Sequence, residues 1–156
     1  MDTLVVRPVT SKDLETLFLF EQGVIKAEHP FDPTLKPDPI NYYDLAAMVD
    51  DPNVELVVAE LDNEIVGSGY ARIENSKPYL QHAKHAYLGF MYVKPDKRSK
   101  GIIQKIIESL KAWISSKNIT ELRLEVYKDN APAIRAYEKA GFSQHMIEMR
   151  MEIEKK

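Results

Sequence analysis

The stretch Ala86–Trp113, AYLGFMYVKPDKRSKGIIQKIIESLKAW, contains the strongest signal for the fold of this chain. Its apolar run, Ala86–Val93, predicts a strand that ends at the turn KPD, residues 94–96. A basic loop, Arg98–Gly101, follows and leads into a helix whose apolar residues are spaced three and four apart: Ile103, Ile106, Ile107, Leu110, Trp113 and Ile114. The free N–H groups and positive dipole end of such a helix suit a phosphate or pyrophosphate. An ordinary turn with solvated lysines is the alternative.

The composition is that of an ordinary globular domain. The chain has 156 residues, 44% hydrophobic and 29% charged, which is enough to bury a substantial core, so we predict one domain over residues 1–156. The net charge of −3 provides no field that attracts nucleic acid, and nucleic acid is therefore not an expected partner. The absence of cysteine excludes disulfides, thiolate catalysis and zinc–sulfur sites.

The sequence favours a cytoplasmic protein with no membrane partner. The start of the chain, MDTLVVRPVT, lacks the basic-then-apolar pattern of a signal peptide. No run approaches the ~18 apolar residues that would be needed to span a bilayer. We therefore expect a soluble intracellular protein.

The order of the expected elements indicates an α/β (α+β) domain with a mixed sheet. Alternating or apolar runs predict strands over residues 3–9, 54–61, 64–73, 86–93, 121–126 and 142–153. Helices are expected over residues 10–27 and 42–49, after Gly101 and after Asn130. Residues 29–39 contain four prolines, which predicts an irregular surface loop suited to recognition.

Several local signals fix the ends of these elements. Thr10 and Asp13 have the spacing of a capping box at the start of the first helix. Asp62-Asn63 predicts a hairpin turn between two strands. Asn130 is a good N-cap for the last helix, and Gly141 is expected at its C-terminal end.

Two segments together resemble the GNAT acetyltransferase superfamily. Val93–Ile103, VKPDKRSKGII, is similar to the acyl-CoA motif V-x-P-x-x-R-x-x-G-x-G/A, and Leu124–Phe142 resembles the second block, V-x-x-x-N-x-x-A-x-x-x-Y-x-x-x-G-F. The element order matches the family over nearly the whole chain. The resemblance implies a single GNAT-like domain with a mixed, mostly antiparallel, twisted sheet of about six to seven strands and about four helices.

The resemblance implies acetyl-CoA as co-substrate, with direct transfer of its acetyl group to an amine. Main-chain groups of strand residues would pair with the pantetheine arm like an added strand, and the Met91 amide would stabilise the oxyanion. Amide groups of the basic loop would hold the pyrophosphate. The implied cofactor-binding residues are Met91, Tyr92, Val93, Arg98, Ser99, Lys100, Gly101, Ile102, Ile103 and Asn130.

Three positions in or near this proposed donor site depart from the family motif or have a second explanation. Ile103 stands where the motif has Gly or Ala, and it would restrict the approach of the pyrophosphate to the second turn. Asn130 is explained equally well as a helix N-cap. Gly89 lies in mid-strand, where glycine often marks a bulge or a close approach of the backbone.

Tyr137 is the residue we expect to transfer a proton to the departing CoA thiolate. It shares a helix face with the small residues Ala133, Ala136 and Ala140, which leave room for its ring. The alternative is a packed aromatic with a satisfied hydroxyl. The general base is left open among Glu28, His29, Asp44, His85, Tyr87 and Glu125. His82 and His85 have no carboxylate at ligand spacing, so no metal is expected.

The acceptor is expected to be a primary amine. Polyamine-reading members of the family resemble Y-L-E-D-L-Y-V in the strand where residues 87–93 read YLGFMYV, so the acidic pair is missing here. Phe31, Tyr42, Tyr43, Tyr70 and Tyr87 suggest a partly aromatic pocket, although core packing explains aromatics equally well. We expect a small-molecule amine. The alternatives are a protein or peptide N-terminus or lysine, or a non-catalytic acyl-CoA-binding or sensing module. A homodimer through the last strands is possible.

Overall fold

A computed structural model describes residues 3–154, which form one sheet with helices on both faces. Its strands are β1 (Leu4–Pro8), β2 (Val54–Leu61), β3 (Glu64–Asn75), β4 (Lys84–Val93) and β5 (Leu122–Arg123). Its α-helices are α1 (Leu14–Glu28), α2 (Leu45–Asp50), α3 (Ile102–Ser116) and α4 (Ala131–Lys139). Short 3-10 turns occupy Ser11–Asp13, His29–Phe31 and Pro95–Lys97.

The sheet confirms the expected α/β class but has fewer strands than expected. The strands lie in chain order, antiparallel from β1 to β4 and parallel between β4 and β5. Within residues 3–154 there are five strands, not six to seven. The strand expected over residues 142–153 is absent from the sheet, and the one expected over 121–126 is reduced to β5. Alternation predicts an extended chain, but a strand also needs a neighbouring edge, which is not a local property.

Two apolar clusters hold the helices against the sheet. On one face, α3 inserts Ile106, Leu110 and Ile114, all fully buried, against side chains of β2, β3 and β4. On the other face, α1 and α2 contribute Leu17 and Leu45. Complete burial of one such side chain contributes about 1.5–3 kcal/mol. None of the helices within residues 3–154 combines the length and the apolar character that crossing a bilayer requires.

The expected turn and cap signals are confirmed. The Asp13 carboxylate accepts a hydrogen bond from the Thr10 amide at 2.8 Å. Asp62 and Asn63 both have positive φ, 52° and 70°, as a two-residue hairpin turn of type I′ requires. Gly141, with φ 108°, follows the end of α4. These features depend on a few adjacent residues.

Helix α2 begins later than expected, at Leu45 rather than Tyr42. The main-chain amides of Tyr42 and Tyr43 donate to the buried Glu21 carboxylate at 2.7 and 2.8 Å, which holds them outside the helix. Asp44 then caps α2 by accepting from the main chain at 3.2 Å. A long-range carboxylate therefore sets the helix start.

Candidate active site

Strand β4 contains a bulge that reverses the direction of its main-chain groups. Phe90 and Met91 together oppose the single β3 residue Gly69. Phe90 has a φ of 54°, and its carbonyl accepts a hydrogen bond of 3.0 Å from the Ser68 hydroxyl. The bulge is therefore fixed by a buried side chain of the neighbouring strand.

The glycine next to the bulge permits a close approach between strands. A Cβ atom on Gly89 would lie 2.4 Å from the Tyr70 ring, much closer than real Cβ contacts. The expected close approach is thus present at Gly89, while the bulge itself falls one residue later.

Strands β4 and β5 separate immediately after they pair. Their register comprises two residue pairs, Ala86 with Leu122 and Tyr87 with Arg123. Beyond Tyr87, the β5-facing edge of β4 therefore has no strand beside it. This gap lies at the bulge and leads to the basic loop after Val93.

Alternation of main-chain direction places two amides in the gap. The Ala86 amide donates to the Glu121 carbonyl, next to β5, at 2.9 Å. Before the bulge, the amides of every second residue of β4 therefore point towards β5. After the extra residue, the Lys94 amide donates to the Val66 carbonyl of β3 at 2.8 Å, so by alternation the Tyr92 amide also points towards β3. Met91 and Val93 therefore direct their amides into the gap, whereas Tyr92 does not.

The basic loop before α3 has left-handed backbone angles at two positions. Ser99 and Gly101 both adopt left-handed backbone angles, with φ of 64° and 77°. Helix α3 starts directly after Gly101, and no side chain caps its first turn. A Cβ atom on Gly101 would contact nothing within 4 Å, so the backbone angle rather than crowding favours glycine. The uncapped amides at the start of a helix suit a phosphate.

The side chains around the loop leave these amides accessible. Ile102 is buried, and Ile103 packs partly against the α3 cluster, so each offers its amide rather than its side chain to the loop. Arg98 donates from Nε to the Val93 carbonyl at 3.0 Å, which ties the exposed loop to the end of β4. Lys100 is exposed between the two left-handed residues.

Helix α4, which carries Tyr137, is linked to the start of α3. The Asn130 side chain accepts from the Ala133 amide at 3.4 Å, which confirms its N-cap role. Gln104 on α3 donates to the Ala136 carbonyl at 3.2 Å and ties the two helices together. Burial, followed by the nearby Glu28 charge, raises the pKa of Tyr137 to about 12. Tyr137 therefore keeps its proton near neutral pH.

Glu28, at the end of α1, lies among phenolic side chains. Burial raises the pKa of its carboxyl above the ordinary range, and a nearby Asp32 adds to the rise while Tyr42 opposes it. The Tyr42 hydroxyl is buried and makes no well-formed hydrogen bond within the described chain. Burial, and then Glu28, raises the pKa of Tyr42 as well. In this environment, the charged form of the Glu28 carboxyl is stabilised when an ammonium group binds beside it.

Three of the remaining candidate bases have partners of their own: the Ala47 amide for Asp44, at 3.2 Å, Ser76 and Glu74 for His85, at 2.9 and 3.3 Å, and the Tyr87 hydroxyl for Glu125. The Nε2 atom of His29 lies 3.6 Å from Asp38 and is buried without a hydrogen bond to any described residue. Glu28 is the candidate whose charge affects the pKa of Tyr137. No three metal-ligating side chains within residues 3–154 are arranged to hold an ion.

The aromatic residues divide between core and site. Tyr70 is buried and packs edge-on against Tyr43, with centroids 5.8 Å apart, so core packing accounts for it. Phe31 instead stacks on Tyr127, with centroids 6.0 Å apart, outside the two clusters. Of the aromatic residues expected around the acceptor, Tyr70 therefore belongs to the core, whereas Phe31 lies outside it.

Near Glu28, four side chains that sequence reasoning missed form a network, which we call the acceptor side: Asp32, Thr34, Tyr127 and Arg150. The Tyr127 hydroxyl donates to Asp32 at 3.1 Å, and Arg150 contacts Asp32 at 3.5 Å and Thr34 at 2.9 Å. Hydrogen bonds from Thr34 and, less strongly, from Tyr127 lower the pKa of Asp32 to about 2. The hydrogen bonds of Asp32 with Tyr127 and Arg150 join positions 95 and 118 residues apart, so no local sequence pattern could predict them.

The gap, the amide loop and the order of the elements agree with a family comparison. Residues 21–142 match the model of the Acetyltransferase (GNAT) family. This chain belongs to the GNAT acetyltransferase family. It is accordingly an acyl-CoA-dependent N-acyltransferase, and GNAT acetyltransferases use acetyl-CoA as their co-substrate.

Similar proteins include acetyltransferases with different acceptors. An N-alpha-acetyltransferase from Saccharolobus solfataricus is 31% identical over 113 residues, which cover 69% of this chain and 68% of that protein. The L-amino acid N-acetyltransferase AaaT from Escherichia coli is 24% identical over 91% of this chain and 84% of its own length. These GNAT relatives support N-acetyl transfer in general.

Solved structures share the GNAT fold. A mutant of the BH1408 protein from Bacillus halodurans has a TM-score of 0.86 at 19% identity, covering 96% of this chain and 99% of its own. A predicted acetyltransferase from Clostridium acetobutylicum, solved with acetyl-CoA, has a TM-score of 0.74 at 18% identity, covering 96% of both chains. At this identity the likeness concerns the fold.

Proposed function

We propose that this GNAT protein acts as one domain that transfers the acetyl group of acetyl-CoA directly to the primary amine of a small molecule. The observation that carries the proposal is the gap between β4 and β5, which has free amides along one wall and the uncapped α3 loop at its end. Glu28 lies close enough to Tyr137 for its charge to raise the pKa of that hydroxyl, and we assign both residues to this gap.

The chain offers a main-chain surface for the donor. The amides of Met91 and Val93 pair with the pantetheine arm, and the Ser99–Ile103 loop receives the pyrophosphate. Arg98 and Lys100 add positive charge there, and Asn130 can use its free amide group while it caps α4. When bound, acetyl-CoA supplies an activated thioester. Ile103 packs towards the core, which supports its compatibility with this site.

The proposed transfer makes a C–N bond and breaks a C–S bond. Glu28 receives the ammonium group and takes one proton from it, directly or through water. The Met91 amide stabilises the negative charge that develops on the carbonyl oxygen. Tyr137, whose pKa of about 12 keeps it protonated, donates its proton to the leaving sulfur, and the second proton that the nitrogen loses returns to the Tyr137 phenolate directly or through water. The products are the N-acetyl amide and CoA with a free thiol.

A small acceptor is favoured by the closure of the acceptor side. Residues 29–44 are held to α1 by Glu21 and across to the β5 side by the Asp32–Tyr127 hydrogen bond. Arg150 adds a third connection to the same segment. These links leave less room for an extended polypeptide than an open groove would.

A peptide N-terminus is the second candidate acceptor. It is favoured by the similarity to N-alpha-acetyltransferases, which reaches 31–32% identity over 113 residues. Both candidates present a primary amine to Glu28, but only the peptide continues as a polypeptide beyond its first residue. A matched pair of substrates therefore separates them.

The test is release of CoA thiol with phenylalanine amide and with a tetrapeptide that begins with phenylalanine, alongside a panel of small amines. We expect a kcat/KM at least tenfold higher for the small amine, and we expect Glu28→Gln to lower it while leaving acetyl-CoA binding unchanged. A preference for the peptide would shift the assignment to the second candidate. Acetyl-CoA binding without thiol release for any amine would favour a sensing module.

A further inference from the structure

The hydroxyl group of Tyr42 is buried but has no well-formed hydrogen bond within the described chain. Among residues 3–154, the side-chain polar atoms in this situation are His29 Nε2 and Tyr42 Oη. The Asp38 carboxylate lies 3.6 Å from His29 Nε2 and can form an ion pair with a protonated His29. A buried hydroxyl left unpaired costs free energy, so the position of Tyr42 Oη indicates a partner that the chain does not supply.

The main chain around Tyr42 is fixed to helix α1. The amides of Tyr42 and Tyr43 donate to the buried Glu21 carboxylate at 2.7 and 2.8 Å. Just before them, the Gln22 side chain donates to the Ile40 carbonyl at 3.0 Å. The Tyr43 ring packs edge-on against the Tyr42 ring, with centroids 5.7 Å apart. These contacts leave the Tyr42 side chain little freedom to move away from α1.

The Tyr42 hydroxyl lies near Glu28, the last residue of α1. Glu21 and Glu28 are seven residues apart, about two helical turns, so their side chains lie on one face of α1 about 10 Å apart along its axis. The Tyr42 main chain is bonded to the first carboxylate. Burial raises the pKa of both Tyr42 and Glu28, and the next influence on each is the other group. The hydroxyl therefore stands beside the carboxyl that we assign to the acceptor amine.

The surroundings of Glu28 are phenolic. Four tyrosines have a pKa that is raised first by burial, and the charge of Glu28 contributes to each of these shifts: Tyr42, Tyr43, Tyr127 and Tyr137. Asp32 is the charged group that acts on the pKa of Glu28, and it raises it. Aromatic rings around a carboxyl suit a cation, which the carboxylate attracts and the ring faces can contact.

We propose that Tyr42 binds the acceptor: its O–H group donates to the Glu28 carboxylate, and its oxygen accepts a hydrogen bond from the ammonium group that Glu28 receives. This inference rests on the proposed function and adds the reason for a primary amine. The two oxygens accept two of the three N–H groups of a primary ammonium, whereas a fully methylated ammonium has no N–H for either.

Titration of the Glu28 carboxyl by carbon NMR tests the contact without any acetyl transfer, and the signal is assigned by its absence in Glu28→Gln. A hydrogen bond to a carboxylate favours its charged form, so we expect the pKa of Glu28 to rise in Tyr42→Phe. Tyr79→Phe, at a tyrosine that is 77% exposed, is the control and should leave this pKa unchanged. An unchanged Glu28 pKa in Tyr42→Phe would overturn the proposal.

Two simple cations test the ammonium contact in the same titration. We expect methylammonium to lower the pKa of Glu28 in the unsubstituted chain, and tetramethylammonium at the same concentration to lower it less. In Tyr42→Phe the difference between the two cations should shrink. An equal response of the two chains would contradict the proposal. Tyr42→Phe removes one oxygen and keeps the main-chain bond to Glu21, so the variant still folds, as circular dichroism checks.

Initial rates of CoA thiol release, with the panel amine of highest kcat/KM, test the same contact in turnover. In Tyr42→Phe we expect the KM for the amine to rise about tenfold, as for the loss of one hydrogen bond to a charged group, with acetyl-CoA binding unchanged. The acid limb of kcat/KM should move to higher pH, because Glu28 must be ionised to take a proton. An unchanged KM and an unmoved limb would overturn the proposal. If the unsubstituted chain releases no thiol with any amine, the proposed function fails, and the NMR titration still decides the role of Tyr42.

Discussion

Residues 3–119 and residues 120–154 of this chain differ in how deeply their side chains are buried. The buried apolar side chains of the described residues all lie in the first region, on β2–β4, on the helices packed against them and at the loop residues Val9 and Ile119, whereas the described residues after Ile119 are at most half-buried. Yet the second region contributes Tyr127, Tyr137 and Arg150 to the candidate site. The fold is stabilised mainly by one part of the molecule, and much of the proposed chemistry depends on the other.

The largest expected effect concerns stability, in the first region. Ile106→Ala removes a fully buried side chain between α3 and the sheet, and we expect a loss of about 3 kcal/mol in the free energy of unfolding. Ile134→Ala, on the half-buried α4, should cost less than about 1 kcal/mol. Urea denaturation of both variants measures the difference. Equal losses would contradict the division between the two regions.

The next effect concerns turnover, in the second region. Tyr137→Phe removes the proposed proton donor, and we expect kcat to fall by about 100-fold, equivalent to about 2.7 kcal/mol, with little change in acetyl-CoA affinity. Its unfolding free energy should change by less than about 1 kcal/mol. Tyr79→Phe, at an exposed tyrosine, is the control and should retain full turnover. Unchanged turnover in Tyr137→Phe would remove this residue from the mechanism.

The smallest effect compares two Asp–Arg pairs, one within the first region and one that joins the two regions. Hydrogen bonding from Arg7, chiefly, lowers the pKa of Asp13 to about 2, whereas Thr34 rather than Arg150 is the main cause of the low pKa of Asp32. Because the pKa of Asp13 is lower in the folded chain than its ordinary value of 3.8, the ionised carboxylate stabilises the fold fully above about pH 3.8. This stabilisation is lost as the pH falls through about 2. Arg7→Ala should therefore cost about 2 kcal/mol at pH 7.

Arg150→Ala is the matched variant for this comparison. Arg150 is exposed, so its pairing contributes less than about 0.5 kcal/mol, and Asp32 keeps a low pKa without it. Carboxyl titration by NMR distinguishes the two cases, because the pKa of Asp13 should rise in Arg7→Ala. A large rise for Asp32 in Arg150→Ala would contradict this account.

The parts of the fold that depend on neighbouring residues were predictable from the sequence. The Asp62-Asn63 turn, the Thr10–Asp13 box and the Asn130 cap each rest on a few adjacent positions. The loop before α3 belongs with them, because its amides and left-handed Gly101 follow from a short motif. Main-chain sites of this kind need little knowledge of the tertiary structure.

The acceptor side and the last strand required contacts that no short segment contains. Tyr127, Asp32 and Arg150 meet only after α1, the sheet and the final segment are in place. Likewise, the alternation over residues 142–153 correctly indicates an extended chain but carries no information about which edge it joins. The prediction of a final strand within the sheet was wrong for that reason.

The most direct test of the central claim, that the Ser99–Ile103 loop holds the acetyl-CoA pyrophosphate, is calorimetric titration with acetyl-CoA. Two glycines provide a matched pair, because both have positive φ and open space where a Cβ would be: Gly101 at the loop and Gly141 after α4. We predict micromolar binding for the unsubstituted chain and for Gly141→Asp, and none for Gly101→Asp, whose carboxylate repels the phosphates. Equal binding by Gly101→Asp would contradict the assignment of this loop.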